Sequence, residues 1–232
     1  MPTLRALPSP ATARPLRLAH RGDWRIAPEN TLAALLAPMR IPACDGVEFD
    51  VRLSADGVPV ILHDETLLRV QGRPGRADGW TAVELAALGV PSLADVLAAL
   101  PAAAFLDVEL KGEDHAEATA AALLAGRGAS GSRAVVSSWE PPALVAMADR
   151  LPGWLRWLNV YDLEPATVSL ALDLGCAGVS VLWNALTPAS IRAARGAGLD
   201  IAAWTVRRRA TFDRLARLGV VACCVEAAAL DG

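Results

Sequence analysis

The stretch Val47-Glu48-Phe49-Asp50-Val51-Arg52-Leu53-Ser54-Ala55-Asp56-Gly57-Val58-Pro59-Val60-Ile61-Leu62-His63-Asp64 holds two β-rich runs, Gly46–Val51 and Val58–Leu62, only six residues apart. A parallel crossover needs a dozen residues or more, so the two runs cannot be parallel neighbours. Asp56-Gly57 is instead a hairpin turn signal. Val58–Leu62 is therefore expected to be a local hairpin arm on a rim. Seven further apolar, β-rich runs occur: Leu16–His20, Ala104–Leu110, Ala134–Trp139, Leu155–Val160, Gly178–Leu182, Ile201–Val206 and Val220–Val225. With Gly46–Val51 they make eight.

Ala/Leu-rich stretches with helical start signals separate most of these runs. Thr81 with Glu84 has the form of a capping box, and Ser92 with Asp95 is a related pattern. Asp114 can cap a helix running to Ala125. Thr187 precedes Pro188, which suits a first helical turn, and Gly196 and Gly198 are placed to stop that helix. Strand and helix alternating over this length imply a parallel sheet, and strands apolar along their length imply that both faces are covered. A doubly wound open sheet competes with a closed (β/α)8 barrel. No glycine-rich dinucleotide loop follows the first run. Eight strands and one rim hairpin favour the α/β class with a TIM-barrel architecture.

Several of the runs end in charge: Ala19-His20-Arg21-Gly22, Glu48-Phe49-Asp50, His63-Asp64 and Val108-Glu109-Leu110-Lys111. Residues two apart on a strand share a face. Glu48 and Asp50 therefore point together, while Val47, Phe49 and Val51 face the helices. Glu109 and Lys111 pair in the same way, with Asp107 one step deeper. In a barrel the inward residues at the strand C-terminal ends face the mouth. Carboxylates gathered there repel one another, and a hard dication relieves that repulsion. An ion-pair network of Glu48 and Asp50 with Arg21 and Lys111 is the alternative. His20 and His63 end their runs beside Arg21 and Asp64, and two imidazoles suit an acid–base pair. His115, among Glu113, Asp114 and Glu117, is expected on the surface. In Pro28-Glu29-Asn30-Thr31, Asn30 or Thr31 can cap a helix, and Glu29 can hold Arg21 or join a metal site. Trp24, Trp139, Trp183 and Trp204 fall at or just beyond strand ends and can wall a pocket, whereas Trp154 and Trp157 suit packing.

The chain has 232 residues, 53% of them hydrophobic, and a formal charge of −3. That charge gives no footprint for nucleic acid, and no apolar run of about 18 residues predicts a membrane span. Residues 1–15, interrupted by Pro2, Pro8, Pro10 and Pro15 and lacking a secretory apolar core, are expected to be a disordered lead-in. Residues 16–232 are expected to form one barrel domain, with the cytoplasm as the default location. Cys44, Cys176, Cys223 and Cys224 form no Cys-x-x-Cys pair, which suits buried thiols in a reducing compartment. Of the adjacent Cys223 and Cys224, one is expected to face inward and the other outward.

Taken together, the chain resembles the glycerophosphodiester phosphodiesterases. The resemblance rests on His20-Arg21-Gly22, Pro28-Glu29-Asn30-Thr31, Val47-Glu48-Phe49-Asp50-Val51, His63-Asp64-Glu65-Thr66-Leu67, Pro91-Ser92-Leu93-Ala94-Asp95-Val96-Leu97, Glu109-Leu110-Lys111 and Trp204-Thr205-Val206. It implies a TIM barrel, a divalent cation (Mg²⁺ or Ca²⁺), and hydrolysis of a small-molecule glycerophosphodiester to an alcohol and glycerol 3-phosphate. By position, His20 and His63 resemble the acid/base pair, and Glu48, Asp50 and Glu109 the metal ligands. Arg21 and Lys111 resemble the phosphate contacts, and Trp204 a substrate-pocket residue, with Glu29 and Asn30 in support. The resemblance also implies attack by the substrate's own neighbouring hydroxyl, through a cyclic phosphate. The pattern departs at Arg207, where Asn is usual, at Val225-Glu226 in place of Thr-Asp, and at Ser138-Trp139 in place of Ser-Phe. These changes are expected to touch the mouth rather than the metal and histidine set. Two rivals remain open: a lysophospholipase D-like enzyme on the same barrel, and a non-catalytic barrel that binds a phosphate-bearing ligand.

Overall fold

The computed structural model describes residues 14–111, 116–126 and 133–232. Asp114 and His115 lie outside them. The first strand, β1 (Leu16–His20), leads through a loop to α1 (Leu32–Leu36) and then β2 (Gly46–Leu53). The Asp56-Gly57 turn returns the chain as β3 (Pro59–Ile61), which pairs antiparallel with β2 in the register Val51 to Ile61. Three short helices follow, α2 (Leu68–Gln71), α3 (Ala82–Ala87) and α4 (Leu93–Ala99). Thr81 and Ser92 begin α3 and α4 with reciprocal capping boxes to Glu84 and Asp95. From there strand and helix alternate: β4 (Phe105–Leu110), α5 (Glu117–Gly126), β5 (Ala134–Ser138), α6 (Pro141–Arg150), β6 (Leu155–Val160), α7 (Pro165–Asp173) and β7 (Gly178–Leu182). The chain ends with α8 (Pro188–Gly196), β8 (Asp200–Val206), α9 (Arg209–Leu218) and β9 (Ala222–Val225). Thr187 caps α8 ahead of Pro188, and the backbone turns left-handed at Gly198, where φ is +92°.

The strand order is β1-β9-β8-β7-β6-β5-β4-β2, and β1 also pairs with β2. Eight parallel strands thus close a TIM barrel, with β3 outside the ring. Parity divides the side chains as the period of two requires. Val47, Phe49 and Val51 of β2 pack outward with helix residues such as Leu35 and Leu93. The inward set low in the barrel (Leu18, Phe105, Val135, Leu155, Trp157, Ala202 and Ala222) forms a separate apolar plug. Cys223 packs with the outer shell, and Cys224 faces in towards Asp107. Gly46 is required on β2, because a Cβ there would lie 1.9 Å from the carbonyl oxygen of Phe105. Ahead of β1, Arg14 pairs with Asp45 at 2.6 Å. Among the described residues no helix is long and apolar enough to cross a membrane.

Trp157 is fully buried in the plug and stacks with Phe105 at a centroid distance of 6.5 Å. Deleting so large a buried ring leaves a cavity that the rigid barrel cannot collapse. Trp157→Ala is expected to cost about 3–5 kcal/mol, read as a lower urea midpoint with the slope unchanged.

Candidate active site

The plug stops short of the strand C-terminal ends, where the inward residues become polar. Asp107 lies next above the plug and accepts a hydrogen bond from Ser137 Oγ at 2.7 Å. One step higher, β2 and β4 place Asp50 beside Glu109, with Glu48 beside Asp107, by parallel register. The carboxylate oxygens of Glu48, Asp50 and Glu109 come within 4.8 Å of one another. Glu48 and Glu109 line a cavity of about 560 Å³ that also meets His20, Arg21, His63, Lys111, Trp139, Asn159, Tyr161 and Trp204, while Asp50 is fully buried beside them.

The loop after β1 is held tightly. A Cβ at Gly22 would lie 2.4 Å from the backbone of Ala34, so that position in His20-Arg21-Gly22 admits only glycine. Arg21 and Asn30 both hold left-handed backbone, with φ of 56° and 60°, and Asn30 N–H donates to the Arg21 carbonyl at 2.9 Å. Non-glycine residues in this region carry strain that tends to gather at functional sites. The return is side-chain placement. Arg21 N–H donates to Glu48 Oε2 at 3.1 Å, and its guanidinium reaches Asp50 at 3.3 Å and Glu29 at 3.0 Å. Asn30 donates from Nδ2 to Asp50 Oδ2 at 2.8 Å, while Thr31 is the helix cap. Glu29 therefore holds Arg21 and stands apart from the three-carboxylate group.

The carboxylates do not ionise alike. Burial, with the charges of Asp50 and Glu109 beside it, holds Glu48 well above the usual carboxylate range. Burial raises Glu109 too, against the pull of Lys111. Burial works on Asp50 in the same direction, but Lys111, at 2.7 Å, and Arg21 outweigh it and hold its carboxyl far below the usual range. Lys111 also bonds Glu109 and stays charged, its partners overcoming the cost of burial. Burial lifts Asp107 to about 7. Burying these carboxyls side by side thus disfavours the charged forms of Glu48 and Glu109. Three carboxylates offering hard oxygen donors at this spacing fit a divalent cation such as Mg²⁺ or Ca²⁺.

Each histidine meets a carboxylate through Nδ1. His63 Nδ1 bonds Asp64 Oδ1 at 2.7 Å, and His20 Nδ1 bonds Glu226 Oε1 at 2.6 Å. A hydrogen bond from Arg69, together with His63, holds Asp64 at about 2. Burial works to raise Glu226, yet His20 and Arg207 bring it down to about 2. An ionised carboxylate only accepts, so each Nδ1 carries its proton and each Nε2 is left to the cavity. Burial lowers the pKa of His63. His20 Nε2 lies 3.9 Å from Glu48 Oε2.

Glu226 corrects the expectation that departures from the family pattern stay at the mouth, because it binds His20 directly. Arg207, the other departure, bonds Glu226 Oε2 at 2.8 Å. Asn159, whose Nδ2 donates to Glu109 Oε2 at 3.1 Å, was likewise unforeseen, as were Tyr161 and Arg69. Strand parity carried the signal for two of them. Glu226 follows Cys224 by two, one residue beyond the end of β9, and Asn159 follows Trp157 by two on β6. Trp24, Trp139 and Trp204 line the cavity, and Tyr161 joins them with its ring 4.5 Å from that of Trp139. Trp183 instead packs against the outer core beside Arg214.

Residues 20–229 match the model of the "Glycerophosphoryl diester phosphodiesterase family". A "Glycerophosphodiester phosphodiesterase" of Caldanaerobacter subterraneus is 44% identical over 30% of this chain, and the matched stretch spans 28% of that relative's length. "Probable glycerophosphodiester phosphodiesterase 2" of Mycobacterium tuberculosis is 29% identical over 82% of this chain and 79% of its own. Among solved structures, an Oleispira antarctica phosphodiesterase in complex with the product sn-glycerol-3-phosphate superposes with a TM-score of 0.83 at 27% identity, covering 91% of this chain and 93% of that one.

Proposed function

The chain belongs to the glycerophosphoryl diester phosphodiesterase family, and from that membership we propose that it hydrolyses glycerophosphodiesters to an alcohol and glycerol 3-phosphate. The observation that carries this is the meeting of a three-carboxylate cluster, two members of which line the cavity, with two carboxylate-anchored imidazoles on the same cavity. Glu48, Asp50 and Glu109 would hold a divalent cation, which supplies Lewis-acid stabilisation of negative charge on the phosphoryl oxygens. Arg21 and Lys111 stand beside the same carboxylates, where their positive charge adds to that stabilisation. The Nε2 of one histidine takes the proton of the attacking hydroxyl, and the Nε2 of the other gives a proton to the leaving alcohol. Trp24, Trp139, Tyr161 and Trp204 offer apolar walls to the alcohol and glycerol parts. The unpaired thiols suit a reducing compartment such as the cytoplasm.

Binding of the cation should be coupled to protons. Glu48 and Glu109 hold protons above the usual carboxylate range and must lose them to serve as ligands. Mg²⁺ or Ca²⁺ affinity should therefore strengthen as pH rises. Titration calorimetry in two buffers of different ionisation enthalpy should reveal net proton release, and equal heats in both would count against it.

Exposed apolar side chains favour a second substrate. Trp24 in the loop after β1 and Tyr161 after β6 line the cavity and are exposed, and Ile26 and Leu68 are exposed in the same loop and at the start of α2. Such a rim could receive the acyl chain of a lysophospholipid. Turnover of glycerophosphocholine against lysophosphatidylcholine, with and without EDTA, decides the matter. Hydrolysis of the first, abolished by EDTA, is expected. Hydrolysis of the second alone would move the assignment to a lysophospholipase D-like enzyme, and hydrolysis of neither would leave a binding barrel.

A further inference from the structure

Three neighbouring strands put three side chains in a row at their C-terminal ends. Parallel pairing of β1 with β9 sets Ala19 opposite Val225, so His20 and Glu226 follow side by side. Parallel pairing of β9 with β8 sets Val206 opposite Val225, and Glu226 N–H donates to the Val206 carbonyl at 2.9 Å, which brings Arg207 to the other side. The Glu226 carboxylate is thus wedged between a guanidinium at 2.8 Å on Oε2 and an imidazole at 2.6 Å on Oε1. A second row has the same order. Arg69 binds Asp64 at 2.6 Å, and Asp64 binds His63 at 2.7 Å. In that row His63 and Asp64 are chain neighbours, so local backbone holds them together. Glu226 has no such tether to His20, from which it is separated by 206 positions. Barrel closure, the hydrogen bond from its own N–H to the Val206 carbonyl and the arginine hold it there.

We propose that Glu226 and Arg207 act as one positioning unit for His20. Glu226 accepts the Nδ1 proton, which fixes the tautomer with Nε2 open to the cavity and sets the plane of the ring. Arg207 occupies the second carboxylate oxygen, so that Glu226 does not swing towards the neighbouring cluster as a fourth acidic group. Its side chain is 65% exposed and its work is done through Glu226. This rests on the phosphodiesterase activity proposed above for its kinetic test, though not for its spectroscopic one.

The test uses Glu226→Gln, Glu226→Asp, Arg207→Ala and the double variant Glu226→Gln/Arg207→Ala, each assayed with glycerophosphocholine and saturating Mg²⁺. Loss of the carboxylate behind an imidazole costs about 10–100-fold at a metal-bound histidine and up to about 10⁴-fold at a proton-transferring one, and the lower range is the minimum expected here. Glu226→Gln should lower kcat by at least that amount with KM unchanged, because an amide can donate to Nδ1 and favour the wrong tautomer. Glu226→Asp should recover part of the loss. Arg207→Ala should lower kcat several-fold, and the double variant should be no slower than Glu226→Gln alone, as expected of parts of one unit. Independently, long-range ¹H–¹⁵N spectra of the imidazoles read the tautomer directly, and the chain has only three histidines. His20 should carry its proton on Nδ1 in the parent protein and lose that signature in Glu226→Gln.

An unchanged kcat and tautomer in Glu226→Gln would overturn the proposal. An Arg207→Ala effect confined to KM would also overturn it, by making Arg207 a substrate contact. Should Glu226→Gln fail to fold, the tautomer in Arg207→Ala and Glu226→Asp decides, and an undisturbed Nδ1 proton in both counts against the unit. A parent protein that turns over no glycerophosphodiester but keeps the Nδ1 signature, lost in Glu226→Gln, would defeat the proposed activity and leave the positioning unit standing.

Discussion

Alanine at His20 or at His63 is expected to lower kcat on glycerophosphocholine by about 10²–10⁴, the usual contribution of a positioned acid or base. Both imidazoles border the same cavity, and both have Nδ1 committed to a carboxylate, so only Nε2 of each is available for proton transfer. The two variants should nevertheless differ. With a p-nitrophenyl leaving group, which departs without protonation, the variant lacking the general acid should recover most of its rate. The variant lacking the base should stay slow. KM should move little in either, because neither histidine is the principal neutraliser of the phosphate. Recovery of both, or of neither, would refute a division of labour between them.

Asp50→Asn should do still more damage. Asp50 is the one carboxylate of the three held far below the usual range, and it meets Lys111, Arg21 and Asn30 at once. Removing its charge deletes a hard donor and leaves two half-buried cations, Arg21 and Lys111, without their shared partner. Loss of bound-cation stabilisation, several kcal/mol, corresponds to at least about a 10³-fold fall in kcat/KM. Breaking a buried ion pair from one side costs about 3–5 kcal/mol, so the metal-free variant should also melt earlier. The sign with pH follows from the depressed pKa. Asp50's contribution to stability is present above the unfolded carboxylate value of about 4 and is lost as pH falls below it. The gap in Tm between the parent protein and Asp50→Asn, measured in EDTA, should therefore narrow on acidification. A gap that widened would mean that the Lys111 and Arg21 pairings do not stabilise the fold.

Much of this site was legible because a β-strand has a period of two. Glu48, Asp50, Asp107 and Glu109 could be assigned to one face from spacing alone, and the hydrophobic residues between them to the other. Asp56-Gly57 removed one strand from the ring by turn chemistry, and Thr81 and Ser92 announced their helices through capping boxes. The same parity would have turned Glu226 and Asn159 inward. It could not say that Glu226 would meet His20, nor that Asn30 would leave the helix cap to Thr31 and bind Asp50.

The sequence by itself determined the strand and helix order, the rim hairpin and the inward polar residues, since these follow from local periodicity, turn preference and capping. Only the tertiary structure decided the partners. Barrel closure pairs β1 with both β2 and β9, which sets His20 against Glu226 and Glu48 within one cavity. Contacts between segments so distant along the chain are fixed by ring closure and strand register. No local pattern of residues encodes either.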